Sequence, residues 1–257
     1  MRHNPMHAST DPGIVRQLIR GNPWAIIVSA NGGELVASHY PVLLDEQSPG
    51  LAVFTHVGRP DDELHGLGDH EVLLIIQGRH GYISPSWYAP GATRAPTWNF
   101  TAAHCYGTPQ ILGEQANLAV LSRLVEHFER HVDQPMCLDP GYGLPLSRGA
   151  VGLRIPITRF ICKLKLSQDK DPVTRQQVIA ALRAPGPYSH PELADDMERF
   201  AGAVGSRTAP LPDGARKVGR GWGFRESNPE PTDLKARAHV IYQGCGEQRR
   251  PAAQRCA

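Results

Sequence analysis

The chain has 257 residues, 40% of them hydrophobic, and sets 27 Lys and Arg against 25 Asp and Glu for a formal charge of +2; it can bury one main core, and it lacks the electrostatic footprint of a nucleic-acid binder. Its five Cys (Cys105, Cys137, Cys162, Cys245 and Cys256) are odd in number, widely spaced and without a CxxC pair, which argues against a disulfide framework or a zinc module and fits a reducing cytoplasm. The N-terminus has no apolar h-region, and no uncharged apolar run is long enough to cross a bilayer, so a soluble, unexported, cytoplasmic protein is expected.

In chain order, Asp11-Pro12 is an N-cap and first-turn pair, and Ile14, Leu18 and Ile19 share one face, which predicts a helix to about Arg20. Gly21-Asn22-Pro23 stops it. Trp24 to Ala30 reads as a strand, Asn31-Gly32-Gly33 as a hairpin turn and Glu34 to Leu44 as the returning strand. Leu51 to Val57 follows as a third strand. Val72 to Ile76 is a continuous apolar run, predicted as a strand buried on both faces and ended by Gln77 and Gly78. Thr97 to Tyr106 alternates, with Trp98, Phe100, Ala102, His104 and Tyr106 on one face. From Gly113 the period becomes helical, with Leu121, Leu124, Val125, Phe128 and Val132 as the apolar face. A Pro/Gly loop through Asp139-Pro140-Gly141 precedes two more strands, at Val151 to Ile157 and Phe160 to Leu166. Asp171-Pro172 and His190-Pro191 each open a further helix. The expected organisation is an α+β domain over 1–202, an antiparallel β meander with peripheral helices, and a disordered tail over 203–257.

Several motifs are absent. Without GxxxxGK[ST], GxSxG or HExxH, phosphoryl transfer, hydrolase triads and zincin chemistry have no support. Gly219-Arg220-Gly221-Trp222-Gly223 follows no strand and opens no helix, so it is not a dinucleotide fingerprint. Between the Val72 and Thr97 strands stand Tyr82, Ser84, Ser86, Trp87 and Tyr88. This stretch reads equally as the wall of a binding site and as core aromatics capping a sheet end. His39, His56 and His104 lie on strands. His56 is the first candidate ligand, because Arg59, Asp61 and Asp62 place an anion binder and two carboxylates beside its imidazole; His65 is the second. Lys163 and Lys165 alternate with Leu164 and Leu166, either as a solvated strand face or as cations for a phosphate or propionate.

The segments NPWAIIVSANGGELVASHYPVLLD, GYISPSWY, PTWNFTAAHCYG and KLKLSQDKDPVTRQQVIAAL resemble successive signatures of the PaiB-type FMN-binding family. The resemblance covers roughly Asp11 to Phe200 and implies an antiparallel split β-barrel. Within that superfamily the haem-dependent piperazate synthases also resemble this chain, in His56-Val57-Gly58-Arg59-Pro60-Asp61-Asp62 and in Gly186 to Ala194. That branch implies haem b and conversion of the small amino acid N5-hydroxyornithine to piperazate by dehydration. His56 would then be the axial iron ligand, Arg59 the carboxylate or propionate partner, Tyr82 the acid, and Asp61 or Asp62 the base. The alternative is an FMN-binding regulator or oxidoreductase. In it Arg59, Ser84 and Lys165 meet the phosphate, Trp98 or Tyr82 flanks the ring, and His104 lies on the cofactor side. A cofactor-free regulator acting through partners, supported by Arg216, Lys217, Arg220 and Arg225, stands third. The family resemblance further implies a homodimer with the cofactor at the subunit interface, and no membrane or nucleic-acid partner is expected.

Overall fold

The computed structural model describes residue 1 and residues 4–92, 95–138 and 140–201, all within one compact unit; the tail expectation for 203–257 lies outside the described residues. In order, these form β1 (Ala8–Ser9), α1 (Pro12–Gly21), β2 (Trp24–Asn31), β3 (Glu34–Leu44), β4 (Ala52–Gly58), α2 (Asp61–His65), β5 (Val72–Ile83), β6 (Thr97–Gly107), β7 (Gln110–Ile111), α3 (Glu114–Glu129), α4 (Pro140–Arg148), β8 (Ala150–Pro156), β9 (Arg159–Lys165), α5 (Pro172–Arg183) and α6 (Pro191–Arg199). The strands join one sheet in the order β1-β9-β6-β5-β2-β3-β4-β8-β7. Every pairing is antiparallel. β3 joins the two halves, pairing with β2 as far as Pro41 and with β4 from Val42 to Leu44. The result is the curled half-barrel sheet with few helices that the meander predicts.

Local chemistry explains the well-predicted elements. Asp11 accepts the Gly13 N–H at 2.8 Å and caps α1. Asn31 pairs with Glu34, leaving Gly32 (φ 58°) and Gly33 (φ 90°) as a two-residue loop in the left-handed region that a hairpin turn of this length needs. The buried face of α1 (Ile14, Val15, Leu18 and Ile19) packs on β3, β5 and β6, where it meets Ala25, Ile27, Leu74, Ile76 and Ala103 in the main core. This side of the sheet is the covered face. The other, open face shows Trp24, Ile26, Ile75, His104 and Ile161 in neighbouring strands.

Three expectations need correction. β5 does not end at Gln77-Gly78; it passes through a bulge between Gln77 and His80 and continues to Ile83. A Cβ on Gly78 would strike the Thr101 side chain, so the glycine permits close approach and the bulge carries the strand onward. Nor is this strand buried on both faces, since Val72, Leu74 and Ile76 are buried while Leu73 and Ile75 are half-buried. In α3 the buried stripe is Asn117, Val120 and Leu124; Phe128 and, past the end of the helix, Val132 are exposed. Asn117 sets that face: its amide donates to the carbonyls of Ser147 (3.0 Å) and Ala150 (2.9 Å), and Gly152 leaves it room, since a Cβ there would lie 2.6 Å from Asn117 Oδ1. The Pro/Gly stretch at 139–141 leads into α4, with Pro140 at its start, where the missing N–H costs no hydrogen bond.

α5 and α6 form where Asp171-Pro172 and His190-Pro191 predict them. α6 docks on β5 beside the bulge. Arg79 meets Asp196 at 3.3 Å, Asp196 being almost fully buried, and Leu193 lies so close to Gly81 that a Cβ there would come within 2.9 Å of it.

Candidate functional site

The predicted site residues fall into two clusters. β4 and β5 run in opposite directions across β2 and β3, so Arg59, just past the end of β4, and Ser84, just past the end of β5, lie at opposite ends of the sheet. The lower cluster surrounds the β4–α2 junction, and the upper cluster surrounds the β5–β6 end.

At the lower end, Asp61 Oδ2 accepts from both Ser38 Oγ and Tyr40 OH at 2.7 Å. Tyr40 OH also accepts the Gly58 N–H at 3.0 Å. Ser38 Oγ lies 3.0 Å from His65 Nε2, and Ser29 Oγ lies 2.8 Å from His65 Nδ1. A fully buried histidine therefore sits inside a chain of hydroxyls that ends on a carboxylate. The Tyr40 hydroxyl, followed by that of Ser38, holds the Asp61 carboxyl below the usual range, while burial pushes the His65 imidazole down. Asp62 is committed to Arg59 at 2.8 Å, and its other oxygen, Oδ1, is buried with no partner among the described residues. His56 meets the Tyr40 ring edge-on at 5.8 Å. Its Nδ1 is buried without a partner among the described residues, and burial lowers its pKa.

At the upper end, Tyr82 pairs with Trp98 across β5 and β6, with ring centroids 6.4 Å apart. His80 lies 5.9 Å from Trp98 and Tyr188 lies 5.1 Å from Tyr82. Lys165 donates to Thr97 Oγ1 and, at 2.9 Å, to the Trp98 carbonyl. This fixes its ammonium against the backbone at the start of β6, at the same end of the sheet as the rings, with two of its three hydrogens committed. Burial lowers its pKa. The Ser84 and Ser86 hydroxyls lie 2.7 Å apart on the turn that follows β5. His104 shares the open face with Trp98, between Ile75 and Ile161 of the neighbouring strands, and burial lowers its pKa.

Some expected groupings therefore do not form within one chain. Arg59 cannot share a phosphate with Ser84 and Lys165. Tyr82 as acid and Asp61 or Asp62 as base belong to different clusters. Of the loop aromatics, Tyr88 is core and Trp87 packs against it; only Tyr82 faces the cluster. Sequence reasoning missed Ser38 and Tyr40, whose signal was a polar alternation on the covered face of β3, and it missed Tyr188, for which no local signal existed. Among the described residues no group of three or more His, Cys, Asp or Glu could hold a metal ion, and no helix is long and apolar enough to cross a membrane.

A sequence model of the family described as "Putative FMN-binding domain" matches residues 1–159. The chain belongs to this FMN-binding-domain family. Among its relatives, the "Protease synthase and sporulation protein PAI 2" of Bacillus subtilis is 27% identical over 184 residues, covering 70% of this chain and 88% of that protein. An uncharacterised protein of Aspergillus fumigatus is 25% identical over 229 residues, with 68% and 87% covered. Among solved structures, the flavocytochrome Anf3 of Azotobacter vinelandii is similar with a TM-score of 0.48 and 14% identity, covering 89% of this chain and 91% of that one.

Proposed function

We propose that this member of the FMN-binding-domain family binds flavin mononucleotide at the upper cluster and acts as a flavin-dependent oxidoreductase, as a homodimer joined through the open face. The observation that carries the reading is the pairing of accessible Trp98 and Tyr82 rings with a fixed Lys165 ammonium at one end of the sheet. An amphiphilic ring with an anionic tail asks for this combination. Trp98 and Tyr82 orient the ring, Lys165 meets the phosphate, and the Ser84 and Ser86 hydroxyls offer it further donors. The half-buried apolar residues of the open face limit water there, and a second subunit would limit it further. When bound, the flavin supplies the two-electron chemistry that the side chains cannot.

This reading takes precedence over haem-dependent cyclisation of N5-hydroxyornithine. A ligating histidine is ordinarily oriented through its second ring nitrogen, and Nδ1 of His56 has no such partner among the described residues. The acid and base that chemistry requires would also sit at opposite ends of the sheet. Balanced charge keeps the regulator reading behind both.

An absorption spectrum of purified protein, before and after dithionite, tests the proposal. Twin flavin bands that bleach on reduction are expected. A Soret band that shifts, or a protein that stays colourless after incubation with FMN, would overturn it.

A further inference from the structure

The match to the family stops at residue 159, yet a residue well beyond it reaches the upper cluster. Tyr188 lies in the turn between α5 and α6, with its ring 5.1 Å from that of Tyr82. Tyr82 is thus the middle of a three-ring arc, with Trp98 on one side and Tyr188 on the other. Trp98 and Tyr188 are each 53% exposed. Tyr188 covers one side of Tyr82 and leaves much of its own ring open to a ligand.

The turn that carries it is fixed in place. His190 N donates to the Leu182 carbonyl at 2.7 Å, and Ser189 N to that of Gly186 at 3.1 Å. The buried Asp196 pins α6 to Arg79 in the β5 bulge, and Leu193 seats on Gly81. The ring is therefore held beside Tyr82 before any ligand arrives, which reduces the ordering cost of binding.

We propose that Tyr188 is a ligand-contacting residue of the upper cluster, contributed by the C-terminal helix pair, and that it supplies a third aromatic surface to a planar heteroaromatic ligand. The inference rests on the flavin reading above and extends it to a segment outside the family match. An aromatic wall recognises the ring and not its anionic tail, so its contribution should be the same with and without a phosphate.

The test is a titration of the full chain with FMN and, separately, with riboflavin, followed by flavin fluorescence, using wild type, Tyr188→Ala, Tyr188→Leu and Tyr188→Phe. Removal of the aromatic surface in the Ala and Leu variants should weaken both ligands about tenfold and leave the bound flavin less quenched. Tyr188→Phe should stay within about twofold of wild type. Leu keeps bulk at the position, so a loss shared by Ala and Leu but not Phe is a loss of ring contact and not of fold; circular dichroism checks the fold of each. If wild type binds FMN and the Ala and Leu variants bind it equally well, the Tyr188 inference falls and the flavin reading stands. If wild type binds neither flavin, both fall.

Discussion

Asp61 takes two hydroxyl donors on one oxygen, and that fixes every proton behind it. Ser38 spends its hydrogen on Asp61, so its oxygen accepts from His65 Nε2–H, and in the neutral ring Nδ1 is the acceptor for the Ser29 hydroxyl. Burial favours the neutral form of His65, and in that form the network selects the Nε2–H tautomer. Replacing Asp61 with Ala would leave the Ser38 and Tyr40 hydroxyls without their acceptor in a partly buried place. A loss of about 1–3 kcal/mol is expected from urea unfolding, with Asp61→Asn milder because the amide oxygen still accepts. The network also predicts a pH dependence. The folded value of His65 lies below 6.5, so the unfolded chain takes up the proton first. Stability is then complete above about pH 6.5 and falls as the pH drops toward the folded value. Asp61, also depressed in the folded state, acts in the same direction at lower pH: its contribution holds above 3.8 and disappears as the pH falls through its folded value. The melting temperature should therefore decline between pH 7 and pH 5, and decline less steeply in His65→Gln. Parallel curves for the two proteins would show that the dependence arises elsewhere, with His56 and His104 next in line.

Among the elements, those set by local chemistry were legible in the sequence, and those set by a distant contact were not. Asp11-Pro12, Asp171-Pro172 and Asn31-Gly32-Gly33 act on their own backbones, so the helices and the hairpin begin where these residues stand. The β5 bulge answers to Thr101 on another strand, and the buried face of α3 answers to Gly152 on β8; neither partner can be inferred from periodicity. The same division runs through the site. His56, Arg59, Asp61 and Asp62 are neighbours in sequence and in space, and the alternation of β6 put Trp98 and His104 on one face as expected. The separation of Arg59 from Ser84 needed strand order, and the arrival of Tyr188 needed the docking of α6. The bulge itself gives an element-scale prediction. Gly78→Ala forces a methyl against Thr101 and should cost about 1–3 kcal/mol, measured by chemical denaturation. Adding Thr101→Ala to it removes the nearest obstructing atom, the Thr101 hydroxyl, and should recover part of that loss. An unchanged midpoint in Gly78→Ala would mean that β5 and β6 are not pressed together at this position.

For the whole molecule, the open face raises the question of assembly. Trp24 is 61% exposed and Leu35 82%, and between the strand ends Ile26, Val28, Leu73 and Ile75 are only half-buried. Trp24 stacks on His39 at 6.4 Å and Ile161 borders His104, so the apolar surface continues over five strands. Surfaces of this kind usually meet a partner, and a two-fold pairing of identical faces is the simplest closed arrangement. Light scattering on the eluting protein should give about twice the 28.1 kDa of one chain. Ile26 stands beside His39 on one strand and Ile75 on the other. A lysine there places an unpaired charge in an apolar interface and should yield a folded monomer. If the flavin binds where the two faces meet, Ile26→Lys should also weaken FMN, although no atom of Ile26 lies in the three-ring arc. Weakened FMN binding in a protein that is still dimeric would place Ile26 at the ligand instead, and a wild-type monomer at micromolar concentration would remove the dimer from the proposal altogether.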